Sequence, residues 1–390
     1  MAKPRSAQKA KDKTTSPFIQ ALKFISLAQR ESGEPYQTHV VLEHKTATAY
    51  DGTLAAGIYI DEDLTACPHT DLLLAALQKA PGIVQIVQDK NGLTIKTSTD
   101  DGKDKFKAHV PCLDRSIVPS VQPDVRVAPI NNEFIRGLEK IASLATENGT
   151  HVVTSSILCK DFSMIATDRH IMLEYWHGIS MPTFAMPKAA ASALVKCGKE
   201  LKGFGFSPHS VTFYFTDNSW LRTQLYDAQW PDVSRILDCK TNAWSLPPEF
   251  YNGVRAVASF NDEGFVTFKK NELASQAAEG TGASYAVLGL PAGPVFNSKY
   301  LLMIEPLAKS VDWQVEPGKA AFFGDNLRGV MLGVMPPVRE AAQPQTPIAR
   351  PSDTPKESAS QRPSCHNGHF AAPGPSGWQW PDCNHECIPF

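Results

Sequence analysis

The densest set of chemically capable side chains lies near the end of the sequence. There Cys365, His366, His369, Cys383, His385 and Cys387 supply the thiols and imidazoles that zinc favours. Their spacing matches no standard zinc module, so no metal site and no cofactor is assigned to them. The remaining cysteines, Cys67, Cys112, Cys159, Cys197 and Cys239, are widely scattered, a pattern of reduced and mostly buried thiols rather than of a disulfide framework. Carboxylates at Asp61-Glu62-Asp63 and Asp100-Asp101-Gly102 could ligate a cation, but Asp-Gly is ordinary turn chemistry, and both runs read as solvated surface. His170 has no evident partner for base chemistry. Nothing matches GxxxxGK[ST], HExxH or GxSxG. Catalysis is therefore not expected, and the sequence points to binding.

At 390 residues the chain is too long for one core. Its 42% hydrophobic and 20% charged residues are those of an ordinary globular protein. No apolar run is long enough to cross a bilayer and the basic N-terminus lacks an apolar segment behind it, so no membrane partner and a cytoplasmic location are expected. The net charge of −2 decides nothing by itself, because one surface can be acidic while another is basic.

The organising feature is a repeat. Ser16 to Ala28 places Phe18, Leu22 and Ile25 at spacings of four and three, the stripe of an amphipathic helix. Asn131 to Ala145 repeats it with Phe134, Leu138 and Ile141, and Pro248 to Ser259 with Phe250, Val254 and Val257. Phe18, Phe134 and Phe250 are separated by 116 residues each time. A second helix is expected after each, over Thr70 to Lys79, Pro187 to Leu201 and Asn297 to Lys309. Strands are expected between them, among them Thr38 to Glu43, Val152 to Cys159, Val211 to Phe215, Leu221 to Tyr226 and Gly264 to Lys269. Asn91-Gly92 reads as a turn between two alternating runs from Ile83 to Thr97. Ala49-Tyr50-Asp51 and Ala166-Thr167-Asp168 keep the same period. This predicts an α+β fold of three tandem repeats.

Three short motifs carry a family resemblance. Ala166-Thr167-Asp168-Arg169-His170-Ile171 is similar to an Ala-Thr-Asp-Gly-His-Arg-Leu element, Gln229-Trp230-Pro231-Asp232-Val233-Ser234-Arg235-Ile236-Leu237 to a segment containing Phe-Pro-Asp-Tyr-Arg-Arg-Val, and Val334-Met335-Pro336-Pro337 to Val-Met-Pro-Met. All belong to the bacterial DNA sliding clamp, the beta subunit of the DNA polymerase III holoenzyme. Over about Ser16 to Arg339 the chain resembles that family, with Arg169 in place of Gly, Trp230 in place of Phe and a short third repeat.

The resemblance implies a ring-forming homodimer that encircles double-stranded DNA as a processivity factor. It also implies a groove between the second and third repeats that docks peptides of the replicative DNA polymerase and the clamp loader. The groove residues carried over are Thr167, His170, Ile171, Met172, Pro231, Arg235, Ile236, Val334, Met335 and Pro336. Lys23, Arg30, Lys79, Arg136, Lys140, Lys196, Lys199 and Arg255 lie on the repeat helices and are the candidate DNA contacts. Such contacts are weak phosphate attractions without base readout. The expected divisions are a basic N-terminal arm over 1–15, clamp repeats over 16–125, 126–245 and 246–339, and a Pro/Ser-rich tail over 340–390, whose composition predicts disorder. A clamp-like binding module or decoy that no longer encircles DNA is the alternative.

Overall fold

The four–three stripes become helices because each places its apolar side chains on one face. The computed structural model describes residues 16–334, apart from 90–91, 99–103, 148, 150, 228–229, 261–263 and 276–281. The expected arm and tail thus lie outside the described residues. The six principal helices are α1 (Pro17–Ile25), α2 (Thr70–Lys79), α3 (Glu133–Ile141), α4 (Lys188–Cys197), α5 (Phe250–Ala258) and α6 (Ser298–Met303). The Phe, Leu or Val, and Ile or Val of all three stripes are buried, none more than 4% exposed. Each such side chain contributes roughly 1.5–3 kcal/mol. Within every repeat the two helices pack on each other. Helix α6 stops well before Lys309 because Pro306 has no N–H with which to continue the ladder.

Four antiparallel sheets carry the helices. Two of them cross from one repeat to the next. A seven-stranded sheet runs in the order Val41–Glu43, Thr46–Tyr50, Leu54–Tyr59, Trp220–Gln224, Ser210–Phe215, Leu201–Ser207, Arg126–Pro129. An eight-stranded sheet runs Phe184–Pro187, Ser156–Lys160, Ser163–Thr167, Ile171–Trp176, Leu327–Leu332, Lys319–Gly324, Ser310–Glu316, Trp244–Ser245. The crossings are Leu54 to Gly57 paired with Thr223 to Trp220, and Ile171 to Tyr175 paired with Met331 to Leu327. Two four-stranded sheets remain, one in the first repeat and one in the third. Alternate residues of the large sheets point to the helices and join one continuous apolar core; the others form a second, outer face.

Two local expectations are corrected. Val152–Ser155 is a helical turn and the strand begins only at Ser156. The β-branched run is overridden by short-range hydrogen bonds: Ser155 Oγ donates to the carbonyls of Gly149 and His151, and Ser156 Oγ to that of Val152. The second correction is only of position: the expected hairpin is present, with Gln85–Gln88 paired with Leu93 to Lys96, but Gly92, whose carbonyl accepts the Asp89 N–H at 3.0 Å, closes the turn as the first residue of strand Gly92–Ser98, paired with Pro111. A Cβ there would overlap the Val110 carbonyl, so close approach of two strands explains the glycine. Asn91 lies outside the described residues.

Candidate functional site

The outer face of the eight-stranded sheet is where the second and third repeats meet. Period-two alternation brings Ile165, Met172, Val330 and Ala321 to this face, and the connecting segment lays Val233 and Leu237 across them. Trp230, Ile236 and Phe323 complete the apolar cluster. The segment is held by Trp230 Nε1, which donates to Ser156 Oγ at 3.1 Å. It is also held by a turn of helix, Ser234–Leu237, whose first N–H is capped by the Asp232 carboxylate at 3.0 Å. The cover ends before the sheet does. Leu332, 48% exposed, and Val334, 43% exposed, continue the strip beyond it.

The turn from Thr167 to Ile171 closes this uncovered end. Thr167 Oγ1 donates to the Ile171 carbonyl at 2.8 Å and accepts from the Arg169 N–H at 3.0 Å. Asp168 Oδ1 accepts from the N–H groups of His170 and Ile171, each at 3.0 Å. Its Oδ2 accepts from the Tyr300 hydroxyl on α6 at 2.7 Å, a bond between the second repeat and the third. Burial, with this hydrogen bond, pushes the Tyr300 hydroxyl up, so it remains a donor. The His170 ring lies 5.7 Å from that of Tyr300, and its carbonyl accepts the Leu332 N–H at 2.8 Å. Arg169 holds a φ of +80°. In the first repeat Asp51 builds the same turn, and Gly52 occupies the matching left-handed position.

Deeper in the junction sits Glu174, 2% exposed. It accepts from Ser163 Oγ at 2.8 Å and forms ion pairs with Lys160 at 2.9 Å and Arg328 at 2.8 Å. Arg328 also reaches Asp238 of the connecting segment at 2.6 Å. Burial pushes the Glu174 carboxyl up, but the hydrogen bonds from Lys160, Ser163 and Arg328 outweigh it and hold the group below its ordinary value.

The expected groove residues are therefore unequal. Met172 and Ile236 meet in the apolar cluster, and Val334 lies at its open end. His170 and Arg235 are exposed, whereas Thr167 and Ile171 are buried and serve the turn and the inner core. Pro231 lines a cavity of about 380 Å³ that adjoins the cluster through Leu158 and Trp230 and extends among Phe184, Phe206 and Tyr226 of the second repeat. Met335 and Pro336 lie outside the described residues. Leu332, Tyr300 and Glu174 were not anticipated. The alternation of Leu327–Leu332 was the available signal for Leu332; the other two act across repeats and leave no local trace.

The basic residues expected on the helices are also unequal, and two are not helical: Arg30 lies past the end of α1 and its following turn, and Lys199 past the end of α4, which Gly198 terminates in a left-handed conformation. Lys23, Lys79 and Lys196 are exposed and have no ion pair among the described residues. Arg136 pairs with Glu133, Arg255 with Glu305, and Arg30 lies 3.9 Å from Asp51. Lys140 sits over the Tyr175 ring at 5.1 Å. Lys199 is half-buried, bound to Asp217 at 2.5 Å and Ser219 at 2.9 Å and lying over the Phe24 ring at 4.0 Å. Its ammonium is engaged where the first and second repeats touch.

Among the described residues no helix is long and apolar enough to cross a membrane, and no group of three or more His, Cys, Asp or Glu could hold a metal. No protein-family model and no curated protein matches the chain. Solved structures do match. The DNA polymerase III subunit beta of Pseudomonas aeruginosa superimposes with a TM-score of 0.68 at 14% identity, covering 82% of this chain and 97% of that one. The Bacillus subtilis DNA polymerase sliding clamp gives 0.69 at 14% over 82% and 97%. The Helicobacter pylori beta clamp, solved with a DNA ligase peptide, gives 0.66 at 16% over 82% and 97%. The chain thus has the three-repeat α+β fold of the bacterial DNA sliding clamps.

Proposed function

We propose that the chain is a non-enzymatic, cytoplasmic DNA polymerase processivity factor. Two copies close head to tail around duplex DNA, and the groove between the second and third repeats docks peptides of the polymerase and clamp loader. The observation that carries this reading is the repeated junction. Leu54 and Ile171, 117 residues apart, begin equivalent strands, and each pairs with a late strand of the following repeat. Among the described residues no repeat follows the third, and its strand Ser284–Ala286 ends a sheet with no partner strand on one side. The late strand of the first repeat, Asp104–Leu113, is paired on its outer side only at Cys112 and Leu113. A second copy offers each edge the partner it lacks, and two such contacts close a cycle.

The reading is tested by sedimentation equilibrium and by retention on nicked circular DNA. A dimer that stays on circles and slides off when they are linearised is the expected result. Replacing Arg136, Lys140 and Lys196 by Ala should weaken retention and flatten its salt dependence by roughly one counterion per lost cation. A monomer held equally by circles and linear DNA would instead make this a clamp-like binding module.

A further inference from the structure

We infer that the groove, if it docks peptides as proposed above, selects apolar peptides flanked by carboxylates, and that Arg169 and Lys299 are the residues that select them. Both cations belong to the segments that meet at the Thr167–Ile171 turn, which closes the uncovered end of the apolar strip. Arg169 precedes His170, whose carbonyl is bonded to Leu332. Lys299 Nζ lies 5.3 Å from the ring centre of Tyr300, the residue that binds Asp168. Both are exposed, and neither has an ion pair among the described residues. Asp168, adjacent to Arg169 in sequence, is half-buried and its oxygens already accept three hydrogen bonds, so it is poorly placed to neutralise them. On the covering segment, the exposed Asp232 carboxylate caps Ser234 beside the exposed Arg235, and Asp238 is already paired with Arg328 at 2.6 Å.

The backbone supplies an independent argument. A φ of +80° costs a side-chain-bearing residue about 1–2 kcal/mol relative to glycine. The first repeat builds the same turn with Gly52. The second accepts the strain and carries there an exposed arginine, next in sequence to His170, whose carbonyl binds Leu332 of the apolar strip. A guanidinium binds a carboxylate in a two-pronged geometry, and an ammonium binds it as a point charge. The exposed Leu332 and Val334 take the apolar part.

Fluorescence anisotropy tests this with two labelled dodecapeptides that share a Leu-Leu-Phe core, one flanked by four Asp and the other by four Asn. The full-length protein should bind the Asp peptide roughly tenfold tighter at low salt, and the advantage should collapse near 0.5 M NaCl. Arg169→Gly with Lys299→Gln should bring the two affinities within about twofold, while the Arg169→Gly change raises Tm. Equal affinities in the unaltered protein would overturn the charge selection yet leave the groove standing. Binding of neither peptide would remove the groove reading and this inference with it. Preference for the Asp peptide that persists in the double variant would reassign the selection to other cations.

Discussion

Glu174 is tolerable inside the junction only while it is charged and paired, because a buried carboxylate needs every one of its partners. Its folded pKa is depressed, so its stabilising contribution is complete above the unfolded value of ~4.3 and is lost as pH falls through the lower folded value. Glu174→Gln should therefore destabilise the protein by about 1–3 kcal/mol at pH 7. The difference from the unaltered protein should shrink in urea titrations as pH is lowered below that range. A constant difference from pH 7 to pH 3 would assign the loss to shape rather than charge. The sequence could not announce this residue. Lys160 and Ser163 are near in the chain, but Arg328 is 154 residues away, and only the pairing of the two crossing strands brings it there. Thr167 and Ile236 fall within the motifs and Met172 directly follows one, whereas Leu332 carries no such mark, because the last motif starts two residues later.

The helices were legible because the stripe that defines them is local, and α2 spans the same residues that the apolar spacing delimits. The strands were legible one at a time but their order was not. Period-two alternation marks a face and says nothing of the neighbour, so the pairing of Leu54–Tyr59 with Trp220–Gln224 had no signature. One residue does record it. Gly57 is buried opposite Trp220, and a Cβ there would overlap the indole. Gly57→Val should lower stability by about 1–3 kcal/mol through this overpacking, read as a shift in the urea midpoint with an unchanged slope. A loss below ~0.5 kcal/mol would mean that the ring swings aside at little cost. Val152–Ser155 shows the opposite failure, where β propensity was present but nearby hydroxyls and carbonyls satisfied one another first.

For the molecule as a whole, the proposed ring closure rests on the sheet edges that have no partner strand among the described residues. Ser275 donates to the Ala283 carbonyl and Val287 to the Asn271 carbonyl, so by alternation the N–H groups of Ser284 and Ala286 face away from their own sheet. Ala286→Pro removes one outward donor and leaves the internal ladder intact. It should shift the proposed dimer to monomer in sedimentation while the far-ultraviolet circular dichroism stays the same. A dimer of unchanged strength would place the contact elsewhere. The shared sheets also set a timetable for synthesis. Leu54 must wait for Thr223, 169 residues further along the chain, before its edge is covered. At a ribosomal rate of roughly 5–20 residues per second the nascent first repeat carries a naked strand for about 10–35 s. In that interval it can pair with the same strand emerging from a neighbouring ribosome on one message. Slower translation between the first and second repeats should thus lower the soluble yield, whereas pauses after residue 224 should leave that edge unaffected.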